Sequence, residues 1–194
     1  MPSSTPDPRR VAVLISGRGS NLEALADHAG PYRIVLVVSN KPEAPGLDLA
    51  RMRGLPTLAL SSRGLDREQF DRRVGDAIEA AGAGTIVLAG YMRLLSPAFV
   101  RRFAGRILNI HPSLLPLYKG LDTHARAIAA GDTEAGCSVH LVTEELDSGA
   151  VIAQARVPIH EGDTPEDLSA RVLAEEHRLY PQAVSDFIRN GSGC

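Results

Sequence analysis

The sequence predicts an α/β fold: a doubly wound, mostly parallel sheet with a less regular C-terminal half that ends in a long helix. Two observations carry this. Short, continuous apolar runs recur along the first half of the chain, the mark of strands buried on both faces. Helical stretches separate them, and strand–helix alternation implies a parallel sheet with helices on both sides.

Val11-Ala12-Val13-Leu14-Ile15 is the first run and Ile34-Val35-Leu36-Val37-Val38 the second. Thr57 to Leu60 is shorter, Thr85 to Ala89 is again apolar, and Arg106 to Ile110 mixes polar with apolar residues. Cys137 to Val142 and Val151 to Pro158 read as two further strands joined by a polar bend. Helices are expected from Asn21 to Ala29, from Gly46 to Arg53, and from Arg67 to Ala81, where Phe70, Val74 and Ile78 fall at helical spacing. Ser96-Pro97 supplies an N-cap and a first-turn proline for a helix to Phe103. Thr164-Pro165-Glu166-Asp167 repeats that signal for the long last helix, which Pro181 is expected to break or kink.

Composition excludes several classes. The 194 residues carry 21 Lys+Arg against 23 Asp+Glu, a net charge of −2, with 4 % aromatics. A surface built to neutralise nucleic-acid phosphates needs clustered excess Lys/Arg, so no nucleic-acid partner is expected. No apolar run approaches the roughly 18–20 residues that cross a bilayer, so no membrane partner is expected either. Residues 1–10 hold no apolar segment of the kind a secretion signal needs, and with Gly191 to Cys194 they read as loose ends. Cys137 and Cys194 make no disulfide framework, and Cys137 with His140 gives too few ligands for a metal. A cytoplasmic protein without a metal, a monomer or homodimer, is the expectation.

Ser16-Gly17-Arg18-Gly19-Ser20-Asn21 joins the first strand to the first helix. Glycines let backbone approach a ligand closely, and the free N–H groups of a helix N-terminus attract an anion. The loop is therefore a candidate phosphate cradle; the alternative is a tight βα turn needing positive φ. Leu22 stands where a dinucleotide motif has its third glycine, and no acidic residue ends the second strand, so one phosphate monoester fits better than NAD. There is no Gly-Lys-Ser/Thr, which excludes a P-loop.

Asn109-Ile110-His111-Pro112-Ser113-Leu114-Leu115-Pro116 sits at the end of a predicted strand, where ligands bind in open α/β sheets. In extended chain Asn109 and His111 share one side, and Pro112 holds His111 extended. A carboxylate from Leu146-Asp147-Ser148-Gly149 is a candidate partner that would favour the imidazolium and orient it. The alternative is an aspartate that caps a turn.

Ser16 to Leu22, Ala89 to Ser96, Asn109 to Pro116 and Leu146 to Gly149 occur in that order, and so arranged the chain resembles the folate-dependent formyltransferases. Ser-Gly-x-Gly-Ser-Asn narrows the resemblance to their glycinamide ribonucleotide branch, and it covers Val11 to Phe187. It implies a Rossmann-like formyltransferase fold over residues 11–190, with the nucleotide phosphate site in the N-terminal half and the folate and catalytic site in the C-terminal half. It implies transfer of the formyl group of 10-formyltetrahydrofolate, a co-substrate, to the amine of glycinamide ribonucleotide in purine biosynthesis. By resemblance Asn109, His111 and Asp147 are catalytic, and Gly19, Ser20, Asn21 and Glu176 bind the nucleotide. Arg67, Met92, Arg93, Leu94, Leu95 and Asn109 contact the folate. Arg67 and Glu176 have competing readings as a solvated helix charge and a salt-bridge partner, and Met92 and Leu95 as core packing. Arg18 and Asp122 depart from the family pattern. The rival functions are a formyltetrahydrofolate hydrolase, in which the same trio activates water, and a non-catalytic nucleotide-binding module.

Overall fold

In the computed structural model, which describes residues 6–191, seven strands form one sheet in the order β3-β2-β1-β4-β5-β6-β7. The strands are β1 (Arg10–Ile15), β2 (Arg33–Ser39), β3 (Thr57–Ala59), β4 (Thr85–Leu88), β5 (Ile107–His111), β6 (Glu134–Leu141) and β7 (Val151–Pro158). The helices are α1 (Ser20–Asp27), α2 (Pro45–Met52), α3 (Arg67–Ala80), α4 (Pro97–Arg102), α5 (Thr123–Ala129) and α6 (Pro165–Arg189). Neighbouring strands from β3 to β5 run parallel, whereas β6 pairs antiparallel with β5 and β7 with β6.

The apolar run of β1 shows why the sheet is covered on both faces. Val11, Val13 and Ile15 pack with Leu22, Leu25, Leu47, Val172 and Tyr180 from α1, α2 and α6. Ala12 and Leu14 point the other way, onto Phe70, Val74 and Ile78 from α3, Phe99 from α4 and Phe103 at its C-cap. Alternation along an extended strand thus sorts one run into two cores.

Ser96 caps α4 by accepting the Phe99 N–H, and Thr164 and Asp167 form a reciprocal capping box on α6. The start of the chain differs from expectation. Arg10 already belongs to β1, its N–H donates to the Asp7 carbonyl, and the Pro8 carbonyl accepts the Thr85 hydroxyl. Only residues 1–5 and 192–194 of the expected loose ends lie outside the described residues.

Pro181 does not end α6, which continues to Arg189. An interior proline costs about 3 kcal/mol. Beyond it Val184, Phe187 and Ile188 are buried, and each large apolar side chain contributes about 1.5–3 kcal/mol, which outweighs the lost hydrogen bond. Helix α5 has no counterpart in the sequence reading: it is short, Asp122 precedes it in left-handed backbone at φ 57°, and no side chain caps it.

Candidate active site

The register aligns the carboxyl ends of three neighbouring strands, with Leu14 beside Leu88 and Leu88 beside Asn109. The loops leaving β1, β4 and β5 therefore open on one edge of the sheet. Adjacent strands lie about 4.8 Å apart, so β1 and β5 are separated by about 10 Å.

Gly19 precedes α1 at φ 83°, a conformation that favours glycine, and a Cβ there would lie 2.9 Å from the Gly46 Cα. The Gly46 N–H in turn donates to the Gly17 carbonyl at 3.0 Å. Two glycines thus let the loop press against the start of α2, and the first-turn N–H groups of α1 have no intrahelical partners. Ser20 is the first residue of α1. Asn21 is buried, and its side-chain amide donates to Glu176 Oε2 at 2.8 Å, leaving Asn21 Oδ1 buried without a partner. Glu176 is 7 % exposed, and burial lifts its carboxyl above the usual range, against the Asn21 hydrogen bond. Asn21 and Glu176 thus meet across the α1–α6 seam.

Four polar side chains converge at the end of β5. Asp147 Oδ2 lies 3.5 Å from His111 Nδ1, and Asp147 Oδ1 lies 3.7 Å from His140 Nε2. Asn109 stands opposite His140 in the β5–β6 ladder, and its Nδ2 is 3.1 Å from His140 Nε2. Proton positions follow from the acceptors. A carbonyl only accepts, so His140 Nδ1, 3.0 Å from the Leu141 carbonyl, carries a proton and His140 Nε2 accepts from Asn109. Burial keeps His140 below the ordinary histidine range, against the Leu141 hydrogen bond and the Asp147 charge, so the ring is held neutral as that bond requires. One amide proton of Asn109 remains for another acceptor. His111 Nε2 likewise donates, to the Tyr118 carbonyl at 2.9 Å.

Local backbone brings Asp147 to this point. Asp147 has φ 48°, a left-handed conformation that Asp tolerates better than most residues. Its Oδ2 accepts the Gly120 N–H at 2.9 Å, tying the β6–β7 bend to the loop after β5. At Gly149 a Cβ would collide with the Leu141 carbonyl, the acceptor of His140. The Asp-Ser-Gly bend therefore places its carboxylate only because glycine lets it fold back onto β6.

The segment after β4 forms the next wall. Met92 is 68 % exposed and Leu94 is exposed, so neither is core, whereas Leu95 is half-buried against the core. Arg93 lies over the Phe70 ring at 4.6 Å. Arg67 is exposed at the start of α3. Burial raises the Asp71 carboxyl, opposed by its hydrogen bonds from Ser96 and by the charges of Arg93 and Arg67. Among the described residues no group of three or more His, Cys, Asp and Glu is arranged to hold a metal, and no helix is long and apolar enough to cross a membrane.

His140, considered from the sequence only as a metal ligand with Cys137, is the member of this cluster that sequence reading does not place here. Its role depends on the cross-strand register, which no local pattern encodes. The arrangement offers an amide donor, an imidazole and a carboxylate around one point, which suits developing negative charge on an oxygen together with proton transfer.

Comparison with known proteins gives one answer. The profile of the formyl transferase family matches residues 9–184. The phosphoribosylglycinamide formyltransferase of Escherichia coli (strain K12) is 50 % identical over 182 residues, spanning 91 % of this chain and 86 % of that protein. The crystal structure of glycinamide ribonucleotide transformylase 1 from Symbiobacterium toebii superposes with a TM-score of 0.90 at 44 % identity, over 93 % of this chain and 88 % of that one. The phosphoribosylglycinamide formyltransferase structure from Brucella melitensis gives 0.88 at 50 % identity, over 93 % and 95 %. The chain belongs to the formyl transferase family.

Proposed function

We propose that this chain transfers the formyl group of 10-formyltetrahydrofolate to the amine of glycinamide ribonucleotide, as a step of purine biosynthesis in the cytoplasm. The observation that carries this reading is the cluster of Asn109, His111, Asp147 and His140 at the end of β5, on the same edge of the sheet as the glycine loop after β1. Both co-substrates have a physical counterpart in the chain. The N–H groups at the Gly19-Ser20-Asn21 start of α1 suit a phosphate monoester. The bare apolar surface of Met92 and Leu94 suits a flat ring, and Arg67 and Arg93 suit a carboxylate tail.

In this reading the residues divide the work. When bound, the folate supplies an activated formyl group. Asn109 donates its remaining amide proton, and His111 the Nε2 proton now held by Tyr118, to the oxygen where negative charge develops. One such donor is worth about 10²–10³ in rate. Asp147 faces His111 Nδ1, holds the ring, and assists passage of the proton lost by the attacking amine to the departing N10 of the folate, acid–base help worth about 10²–10⁴. Glu176 takes no part in that transfer; it fixes Asn21 and with it the first turn of α1.

The test is an absorbance assay with glycinamide ribonucleotide and 10-formyltetrahydrofolate, run beside His111→Ala and Asp147→Ala. The expected outcome is nucleotide-dependent transfer, with kcat at least about 10²-fold lower in either variant and nucleotide binding preserved. Formate release at the same rate without the nucleotide would establish a hydrolase instead.

A further inference from the structure

We propose that Ser16 is a positioning residue that couples the seats of the two co-substrates, so that filling one changes the affinity of the other. The inference rests on the function proposed above. Ser16 follows β1 directly, is 4 % exposed, and engages its hydroxyl on both sides. The Oγ–H donates to Asn40 Oδ1 at 2.5 Å, and Oγ accepts the Met92 N–H at 2.8 Å. Asn40 is the first residue past β2 and Met92 lies just past β4, while the sheet order places β1 between those two strands. One buried hydroxyl thus joins the loops at the ends of three adjacent strands.

Each loop has a second fixed point. The glycine turn is held at Gly17, whose carbonyl accepts the Gly46 N–H, so Ser16 and Gly17 together set where Gly19 and Ser20 stand. The segment after Met92 is held at its far end by Asp71, which accepts the Ser96 N–H. Between these anchors the Ser16 hydroxyl joins the loop of the anion seat directly to the segment of the ring seat. A ligand that draws Met92 to Leu95 inward pulls on Ser16, and Ser16 leads directly into the turn that faces the phosphate. Coupling of this kind is reciprocal by thermodynamic necessity, so either ligand must report it equally.

The experiment titrates glycinamide ribonucleotide into the wild-type protein, Ser16→Ala and Ser16→Thr, each with and without saturating tetrahydrofolate, which carries no formyl group to transfer. In the wild type, tetrahydrofolate should change nucleotide affinity by about fivefold or more, near the lower end of common couplings. In Ser16→Ala the ratio should fall below about twofold, with each separate affinity weakened by only about three- to tenfold, the size of one neutral hydrogen bond. Ser16→Thr, which keeps the hydroxyl, should restore the ratio. Steady-state kinetics should then show raised KM values with little change in kcat. Asn40→Ala removes the acceptor and leaves the Ser16–Met92 bond, and it must lower the ratio in the same direction; it also serves if Ser16→Ala folds poorly. A wild-type ratio near one, or one that survives in both Ser16→Ala and Asn40→Ala, overturns the proposal. Wild-type protein with no formyl transfer overturns instead the function on which it rests.

Discussion

His140→Leu tests whether the second imidazole of the site works through Asn109. The substitution removes the acceptor that Asn109 Nδ2 now meets at 3.1 Å and the donor that the Leu141 carbonyl now meets at 3.0 Å. At 2 % exposure water does not readily replace either partner. Leaving one buried group unpaired costs about 1–3 kcal/mol, which is about 5- to 150-fold when it is set against the orientation of the amide. We therefore expect kcat to fall by about that factor while both KM values stay within about threefold. Asn109→Ala alone should cost about 10²–10³ in kcat. The decisive measurement is the double variant. If His140 acts only by aiming Asn109, the two losses overlap and the double variant equals Asn109→Ala within about twofold. If the losses multiply, His140 acts elsewhere, on Asp147 at 3.7 Å or on substrate, and the reasoning fails.

Gly19→Ala places a Cβ 2.9 Å from the Gly46 Cα in left-handed backbone, where an L-residue costs about 1–2 kcal/mol. The KM for glycinamide ribonucleotide should rise about tenfold with kcat within about threefold, and an unchanged KM would separate this loop from the nucleotide. Tyr180→Phe removes a buried hydroxyl that donates to the Leu88 carbonyl at 2.9 Å and the Leu108 carbonyl at 3.1 Å. A loss of about 1–2 kcal/mol should lower Tm by about 2–8 °C at nearly full activity, and calorimetry gives the answer. Burial also depresses three histidines, His124, His140 and His177, so the unfolded chain binds protons more readily than the folded one below about pH 6.5. Their contribution is complete above that value and is lost as pH falls, with a limiting slope of about 1.4 kcal/mol per pH unit for each proton. Asp71 and Glu176, raised by burial, act in the opposite sense at lower pH. Urea midpoints should therefore drop between about pH 7 and pH 5.5, and His140→Leu should flatten that drop; a midpoint indifferent to pH would contradict the buried neutral rings.

What the sequence made legible, and what it did not, follows from the range of the interactions involved. A strand buried on both faces needs an unbroken apolar run, so β1, β2 and β4 are readable from a few consecutive residues. Helix starts are equally local, as Ser96 and Thr164 show by capping the helices they precede. Pro181 marks where such rules end, because the burial of Val184, Phe187 and Ile188 on the far side is a tertiary gain that no window around the proline contains. The antiparallel turn of β6 and β7 is likewise fixed by the connection from β5, not by composition within either strand.

The same division runs through the candidate site. Asn109 and His111 are legible because two residues apart at a strand end is a local fact with a geometric consequence. Asp147 is legible as a turn residue, but its aim depends on a left-handed backbone and on Gly149 folding against Leu141. His140 enters only through its register opposite Asn109, and the Asn21 side chain is tied to Glu176 on the last helix. In each case the missed contact fixes the orientation of a side chain whose chemical type the sequence already supplied. A chain read residue by residue therefore names the candidate reacting groups sooner than the groups that aim them. The aiming groups are where substitutions should change rate without changing the chemistry available.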